Sequence, residues 1–203
     1  MHSAPAGSVD AVPHDPTVLP DDLPIPIDDG AAAHLTGIAM PELALPSTDG
    51  SPFHVDLVPP GAARLVLYAY PRTGRPGEDP FAPDWDAIPG ARGCTPEACG
   101  FRDRAADLAR CGAAVAGVST QDTAYQREAV QRLRLPFPLL SDANLRLTHA
   151  LRLPTFDVAG HRLLRRLTLL VRGGVVEHVF YPIFPPDQHA EQVLGWLTAQ
   201  PRI

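Results

Sequence analysis

Arg64-Leu65-Val66-Leu67-Tyr68-Ala69-Tyr70-Pro71 is a continuous apolar run closed by a proline. A strand with one wet face alternates apolar and polar residues, whereas a strand covered on both faces does not. The run therefore predicts an interior strand with helices or loops on either side of the sheet. Two further segments of the same kind follow, over 113–119 and 138–140. Between them, residues 96–110 place Phe101, Ala105 and Leu108 at helical spacing, and 122–133 reads as a helix capped by Asp122. A short helix over 142–150 comes next. Residues 163–171 and 175–181 then form a hairpin across Arg172-Gly173-Gly174. A last helix opens at Asp187 as its cap and buries Ala190, Val193, Leu194 and Leu197. Upstream of the central run, residues 42–45 and 52–55 flank the turn cluster Ser47-Thr48-Asp49-Gly50 as a small N-terminal hairpin. Strands alternating with helices, followed by a hairpin, describe an α/β fold with a mixed central sheet flanked by helices.

The 203 residues suit one domain with some length to spare, and 45% hydrophobic residues suffice for a core. Residues 1–35 are rich in Pro, Asp and Ala, which predicts a disordered or extended arm, with packing of Ile25 and Ile27 as the alternative. The folded unit is expected over 36–203. Within it, residues 74–90 form a loop of Gly, Pro and acidic residues around Trp85. A loop of this length in a compact domain is more often functional than idle. It is either a lid with Trp85 over a pocket, or a solvated excursion that Trp85 anchors.

A net charge of −6 without a run of Lys or Arg argues against nucleic acid as a partner. No apolar run approaches the roughly 20 residues of a membrane span, and the N-terminus lacks a basic start before an apolar stretch. We therefore expect a cytoplasmic protein, a monomer or weak homodimer. Three cysteines in such a chain do not make a disulfide scaffold, and any bridge between them reads as transient. The eight histidines are scattered, so no metal site is expected.

Chemistry is concentrated in Gly93-Cys94-Thr95-Pro96-Glu97-Ala98-Cys99-Gly100-Phe101-Arg102-Asp103. Thr95 as N-cap with Pro96 first in the helix puts Cys94 just outside it, while a start at Gly93 puts Cys94 inside the first turn. In both cases its sulfur meets the positive end of the helix dipole, which favours thiolate. A pKa lowered from about 8.5 to about 6 would make the thiol mostly nucleophilic at neutral pH. Cys99 lies five positions on. On an intact helix their Cα atoms stand about 8 to 9 Å apart, beyond the roughly 4.4–6.8 Å of a disulfide. A bridge between them requires the first turn to unwind. Cys111, directly before Gly112, reads as a packing residue.

This segment resembles the reactive stretch of peroxiredoxins of the bacterioferritin-comigratory, or Q, type, in which Gly-Cys-Thr-x-x-x-Cys-x-x-Arg-Asp follows a strand ending in Tyr-Pro. Tyr70-Pro71, Leu135-Pro136-Phe137-Pro138-Leu139-Leu140-Ser141-Asp142 and Arg166-Leu167-Thr168 match further segments of that family in order. The resemblance implies a thioredoxin-like fold and a thiol-dependent peroxidase acting on hydrogen peroxide or organic hydroperoxides. It makes Cys94 the peroxidatic cysteine and Cys99 the resolving one. It makes Arg166 the cation that holds thiolate and peroxide, and Pro71 the residue that shields the pocket. A sulfenic acid on Cys94 would condense with Cys99, and a thioredoxin-type partner would reduce the resulting disulfide without any cofactor.

One part of the pattern is displaced. The family spaces Pro-x-x-x-Thr-x-x-Cys, whereas here Ala91 holds the threonine position and 74–90 reads as an insertion. Thr73 is the candidate to supply the missing hydroxyl. The same displacement supports two rivals. One is a redox sensor or partner-binding protein that uses the disulfide as a switch without turnover. The other is a general thiol–disulfide oxidoreductase, although those proteins usually carry Cys-x-x-Cys.

Overall fold

The structure is a computed structural model and describes residues 15–200. Residues 1–14 of the expected arm lie outside the described part, as do 201–203. Two short strands open the domain, β1 (Ala44–Leu45) and β2 (Phe53–His54), paired antiparallel as the expected hairpin. The central strand β3 (Arg64–Ala69) is buried throughout. After it come helices α1 (Cys94–Asp103) and α2 (Ala105–Arg110), strand β4 (Ala113–Ser119), helix α3 (Thr123–Leu133) and strand β5 (Leu139–Ser141). Helix α4 (Arg146–Leu151) and the hairpin β6 (Thr155–Val158) and β7 (His161–Leu164) follow. Strands β8 (Leu167–Arg172) and β9 (Val175–Phe180) and helix α5 (His189–Ala199) complete the chain. The main sheet has the order β5-β4-β3-β8-β9. β3 runs parallel to β4 and antiparallel to β8, so the sheet is mixed.

Alternation along β3 explains its uniform burial. Leu65, Leu67 and Ala69 enter a core with Leu43, Leu45 and Val55 of the hairpin region and Leu147 and Leu151 of α4. Val66, Tyr68 and Tyr70 enter a second core on the other face, with Ala98 and Phe101 of α1, Ala129 and Leu133 of α3, and Val193 and Leu197 of α5. Each fully buried leucine here contributes about 1.5–3 kcal/mol. Phe101 stacks on Tyr68 at 4.6 Å between ring centroids, which fixes α1 against the sheet. Gly117 of β4 makes the aromatic layer possible, because a Cβ there would stand 2.6 Å from both Leu139 and Tyr68.

Four expectations change. The helix expected over 96–110 breaks at Arg104, because its halves serve different surfaces, α1 packing on α5 and α2 on β4. The strand expected over 163–171 is two strands, with Arg165 and Arg166 at the corner between β7 and β8. There Arg165 N–H donates to the Pro154 carbonyl, and Arg166 turns inward. Asp187 does not cap α5; it lies in a 3-10 turn, Pro186–Gln188, that leads into the helix. Asp142 acts at a distance, accepting from the Leu147 and Thr148 backbone amides of α4 rather than opening a helix itself.

The domain also begins before residue 36. Ala32 and Leu35 are buried in the first core, and Gly37 N–H donates to the Val176 carbonyl at the edge of β9. Residues 15–30 run without helix or strand across the molecule. Arg92 Nη2 donates to the Asp15 and Val18 carbonyls, and Tyr181 donates to Asp29. Ile25 and Ile27, whose packing was the alternative to a free arm, are exposed. Residues 74–90 hold one 3-10 turn, Trp85–Ala87, and Trp85 is buried with Ala91 and Leu163 against Phe81, Ile88 and Phe156. Trp85 therefore anchors this segment to the β6–β7 hairpin.

Candidate active site

Helix α1 starts at Cys94 itself, with Gly93 before it at φ 101°. This left-handed conformation suits glycine. A Cβ on Gly93 would also stand 2.4 Å from Pro186 and 2.9 Å from Leu19. The chain thus reaches the helix by a route open to no other residue, and the sulfur sits in the first turn.

Three groups surround the sulfur. Arg166 Nη2 stands 3.2 Å from Sγ, the Arg72 backbone N–H donates to it at 3.4 Å, and as a thiol it points to the Ala91 carbonyl at 3.6 Å. Cys94 is 3% exposed. Arg166, equally buried, also donates from Nη2 to the Gly90 and Arg92 carbonyls, and Nη1 is paired with the Glu97 carboxylate. The guanidinium thereby ties β8's approach to the start of α1 and cannot swing away from the sulfur without breaking several bonds.

Electrostatics run against the expectation of a thiol lowered to about 6. Burial pushes the Cys94 thiol up, and the Glu97 carboxylate pushes it further; Arg166 and the Arg72 amide pull it down without prevailing. The helix terminus was legible, but the depth of the sulfur and the carboxylate beside it were not. Glu97 is fully buried, and desolvation raises its carboxyl to about 7 despite Arg166. His189 of α5 bonds Thr168 Oγ1 through Nε2 at 2.8 Å, and burial lowers it to about 3, so it is neutral at physiological pH.

These two groups give stability a specific pH dependence. Glu97's folded pKa is raised, so its stability contribution falls as pH rises from 4.5 to about 7. The folded pKa of His189 is depressed, so stability rises with pH between about 3 and 6.5. Between pH 5 and 7.5 the two changes, each on the order of 2 kcal/mol, oppose one another, and His178, lowered by burial, adds to the rising side. We expect denaturant melts of Glu97→Gln to gain on the order of 2 kcal/mol more than those of the native protein as pH rises over that window. A Glu97→Gln profile parallel to the native one would contradict this.

The remaining residues singled out in the sequence fall as follows. Pro71 is buried and directly precedes the Arg72 amide that meets the sulfur. Thr73 is buried, but its hydroxyl and its amide both donate to Gln121 Oε1, at 3.1 and 3.0 Å, so the structure gives that hydroxyl to Gln121 rather than to the sulfur. Thr95, next to Cys94, is the threonine whose buried hydroxyl has no hydrogen-bond partner. Cys99 lies on the same unbroken helix as Cys94, half-buried and near Arg102, and both thiols are free. Cys111 follows α2 and packs on the second core. Among the described residues no group of three or more His, Cys, Asp or Glu is placed to hold a metal, and no helix is long and apolar enough to cross a membrane.

A first-turn glutamate ordinarily reads as a complement to the helix dipole, yet the position of Glu97 three after Cys94 puts both on one helical face. The Arg72 contribution is a backbone amide and leaves no mark in side-chain identity.

A family model described as Redoxin matches residues 35–194. Chloroplastic peroxiredoxin Q of Arabidopsis thaliana is 30% identical over 163 residues, 80% of this chain and 67% of that protein. The chain belongs to the peroxiredoxins of the Q type. The crystal structure of peroxidoxin BcpB from Mycobacterium tuberculosis superposes with a TM-score of 0.66 at 27% identity, covering 83% of this chain and 99% of that one. Peroxiredoxin Q of Xanthomonas campestris, at 24% identity, has the same fold with a TM-score of 0.61 over 82% of this chain and 97% of its own. This peroxiredoxin is a thiol-dependent peroxidase with the thioredoxin-like fold expected from its sequence. Its match spans about two thirds of the longer plant relatives and nearly the whole of the bacterial proteins.

Proposed function

We propose that this peroxiredoxin reduces hydrogen peroxide and organic hydroperoxides with Cys94 as the attacking sulfur and Cys99 as its resolving partner. The observation that carries the reading is the Arg166 guanidinium 3.2 Å from Cys94 Sγ at the first residue of α1. The thiolate attacks the distal oxygen of the peroxide, the S–O bond forms as the O–O bond breaks, and an alcohol or water leaves. Arg166 and the Arg72 amide supply fixed positive charge where negative charge is redistributed, which is where such groups lower a barrier most. Pro71 holds the turn that presents the Arg72 amide, and Thr73 braces it through Gln121.

The sulfenic acid then condenses with the Cys99 thiol to a disulfide and water. Because both cysteines lie on α1, that step requires its first turn to unwind. A thioredoxin-type dithiol restores the two thiols and leaves oxidised. Large exposed apolar side chains among the described residues are few and scattered, Val18, Ile25, Ile27, Leu57 and Val175, which supports a monomer or weak homodimer.

The test is peroxide treatment of Cys99→Ser in the presence of a sulfenic-acid trap, with the adduct mapped by mass spectrometry. The expected adduct is on Cys94. An adduct confined to Cys111 would remove Cys94 from its role.

A further inference from the structure

Two acids and one cation share the floor of this site. Cys94 and Glu97 lie on one face of α1, and a single guanidinium joins them, Nη1 on Glu97 Oε2 and Nη2 on Cys94 Sγ. Glu97 is 0% exposed, and its second oxygen, Oε1, has no hydrogen-bond partner. A buried carboxyl oxygen without a partner is costly, about 1–3 kcal/mol, and such groups in native sites invite an explanation. The explanation here lies in charge balance. A thiolate and a carboxylate around one cation leave an excess anion in a desolvated space, so ionisation of one acid favours protonation of the other. The groups facing the pair from neighbouring elements do not offset this. Tyr68 and Tyr70 of β3 are pushed up by burial, Cys99 of α1 is pushed up as well, and His189 of α5 is held neutral.

We propose that Glu97 is the acid–base residue of the peroxide step, holding a proton while Cys94 is thiolate and giving it to the departing oxygen. This rests on Cys94 being the attacking sulfur. Before the step, the site carries one proton between two acids, on the thiol or on Glu97 Oε1. Reaction occurs from the form with thiolate and carboxylic acid. The sulfur's electron pair forms the S–O bond, the O–O bond breaks toward the proximal oxygen, and the alkoxide takes the Oε1 proton to leave as alcohol. Cys94 ends as sulfenic acid and Glu97 as carboxylate, paired with Arg166 and no longer facing a second anion. The sum is thiol plus hydroperoxide to sulfenic acid plus alcohol, with no proton drawn from bulk water.

A leaving group that needs no proton separates this role from a structural one. Carboxylate, the leaving group of a peracid, departs as a stable anion, whereas tert-butoxide does not. Glu97→Gln keeps a carbonyl oxygen for Arg166 and removes the proton. Measured as kcat/KM at pH 7, the ratio of tert-butyl hydroperoxide to peracetic acid is expected to fall at least about tenfold in Glu97→Gln, within the range of general acid catalysis. An unchanged ratio, whether both rates fall together or neither does, would overturn the proposal.

A measurement on the native protein covers the case in which the variant does not fold. In a pH titration the thiolate absorbance of Cys94 should appear while the infrared C=O stretch of a protonated carboxyl persists, and in Cys94→Ser, with no second anion at the site, that band should be lost at lower pH. Thiolate formed without that band would also overturn the proposal. Failure of the Cys94 assignment shows separately, as a sulfenic-acid adduct elsewhere in Cys99→Ser; failure of the proton transfer leaves the adduct on Cys94 and the ratio flat.

Discussion

Cys94→Ser is expected to consume no peroxide above background, a loss of at least about 10⁴-fold, while remaining folded. The reason is chemical. A serine hydroxyl is a weak nucleophile unless a base activates it, and the Glu97 carboxylate that shares the site, protonated at about 7, is far too weak a base to ionise an alcohol. The oxygen would still accept from the Arg72 amide and from Arg166, because it is smaller than sulfur but shares its direction from the backbone. The melting temperature should therefore change by a few degrees at most. Cys99→Ser should behave differently, with one equivalent of peroxide consumed at close to the native rate and turnover then stopping unless an external thiol resolves the sulfenic acid. Stopped-flow consumption under single- and multiple-turnover conditions reads both. Multiple turnovers by Cys94→Ser with a thioredoxin system would remove the sulfur of residue 94 from the reaction.

Arg166→Met is expected to lower peroxide reduction about 10²- to 10³-fold, the range for loss of one well-placed charge-stabilising group, and also to weaken the fold. Methionine approximates the volume of the arginine stem but leaves Glu97 buried without its cation, and removing one member of a buried pair costs about 3–5 kcal/mol. The carboxyl has an escape, because it can protonate. Arg166 now lowers the Glu97 pKa, so its removal raises it further. Urea melts should then show the variant losing more stability at pH 8 than at pH 5, where the acid form is already favoured. The Cys94 thiol, stripped of its nearest cation, should also ionise at higher pH than in the native protein. Equal destabilisation at the two pH values would mean that Glu97 is not the partner responsible.

Much of the scaffold was legible from residue types alone. The run at 64–70 announced a strand covered on both faces, and Asp122 stands where expected, its side chain accepting from Tyr125 N–H at the start of α3. The hairpin around residues 47–50 followed from its turn residues. What escaped were features decided by tertiary contacts. The β6–β7 hairpin is short and half-exposed, with weak periodicity, and owes its place to the aromatic cluster under Trp85. The corner at Arg165 and Arg166 is set by where those two guanidinium groups find acceptors, the Thr155 carbonyl in the neighbouring strand β6 for Arg165 and the Arg92 carbonyl, remote in sequence, for Arg166. In the site, the cysteine pair and Arg166 carried clear chemical signals. The buried carboxylate of Glu97 and the amide of Arg72 did not, since a first-turn glutamate ordinarily complements a helix dipole in water and a backbone donor has no side-chain signature.

The course of residues 15–30 bears on how other proteins meet this enzyme. Leu19 lies against Gly93, Pro26 lies near Gly90, and Arg92 is held by carbonyls of Asp15 and Val18. The first turn of α1 thus has a covering strap from its own chain, contributed by a stretch that precedes the part shared with the family, which begins at residue 35. A reductant approaching the proposed Cys94–Cys99 bridge from that side would compete with this tethered segment, whose local concentration is fixed by its attachment rather than by supply. Loosening that tether, by shortening the chain or by occupying the strap elsewhere, would alter how often the bridge is presented without touching a single atom that performs the chemistry.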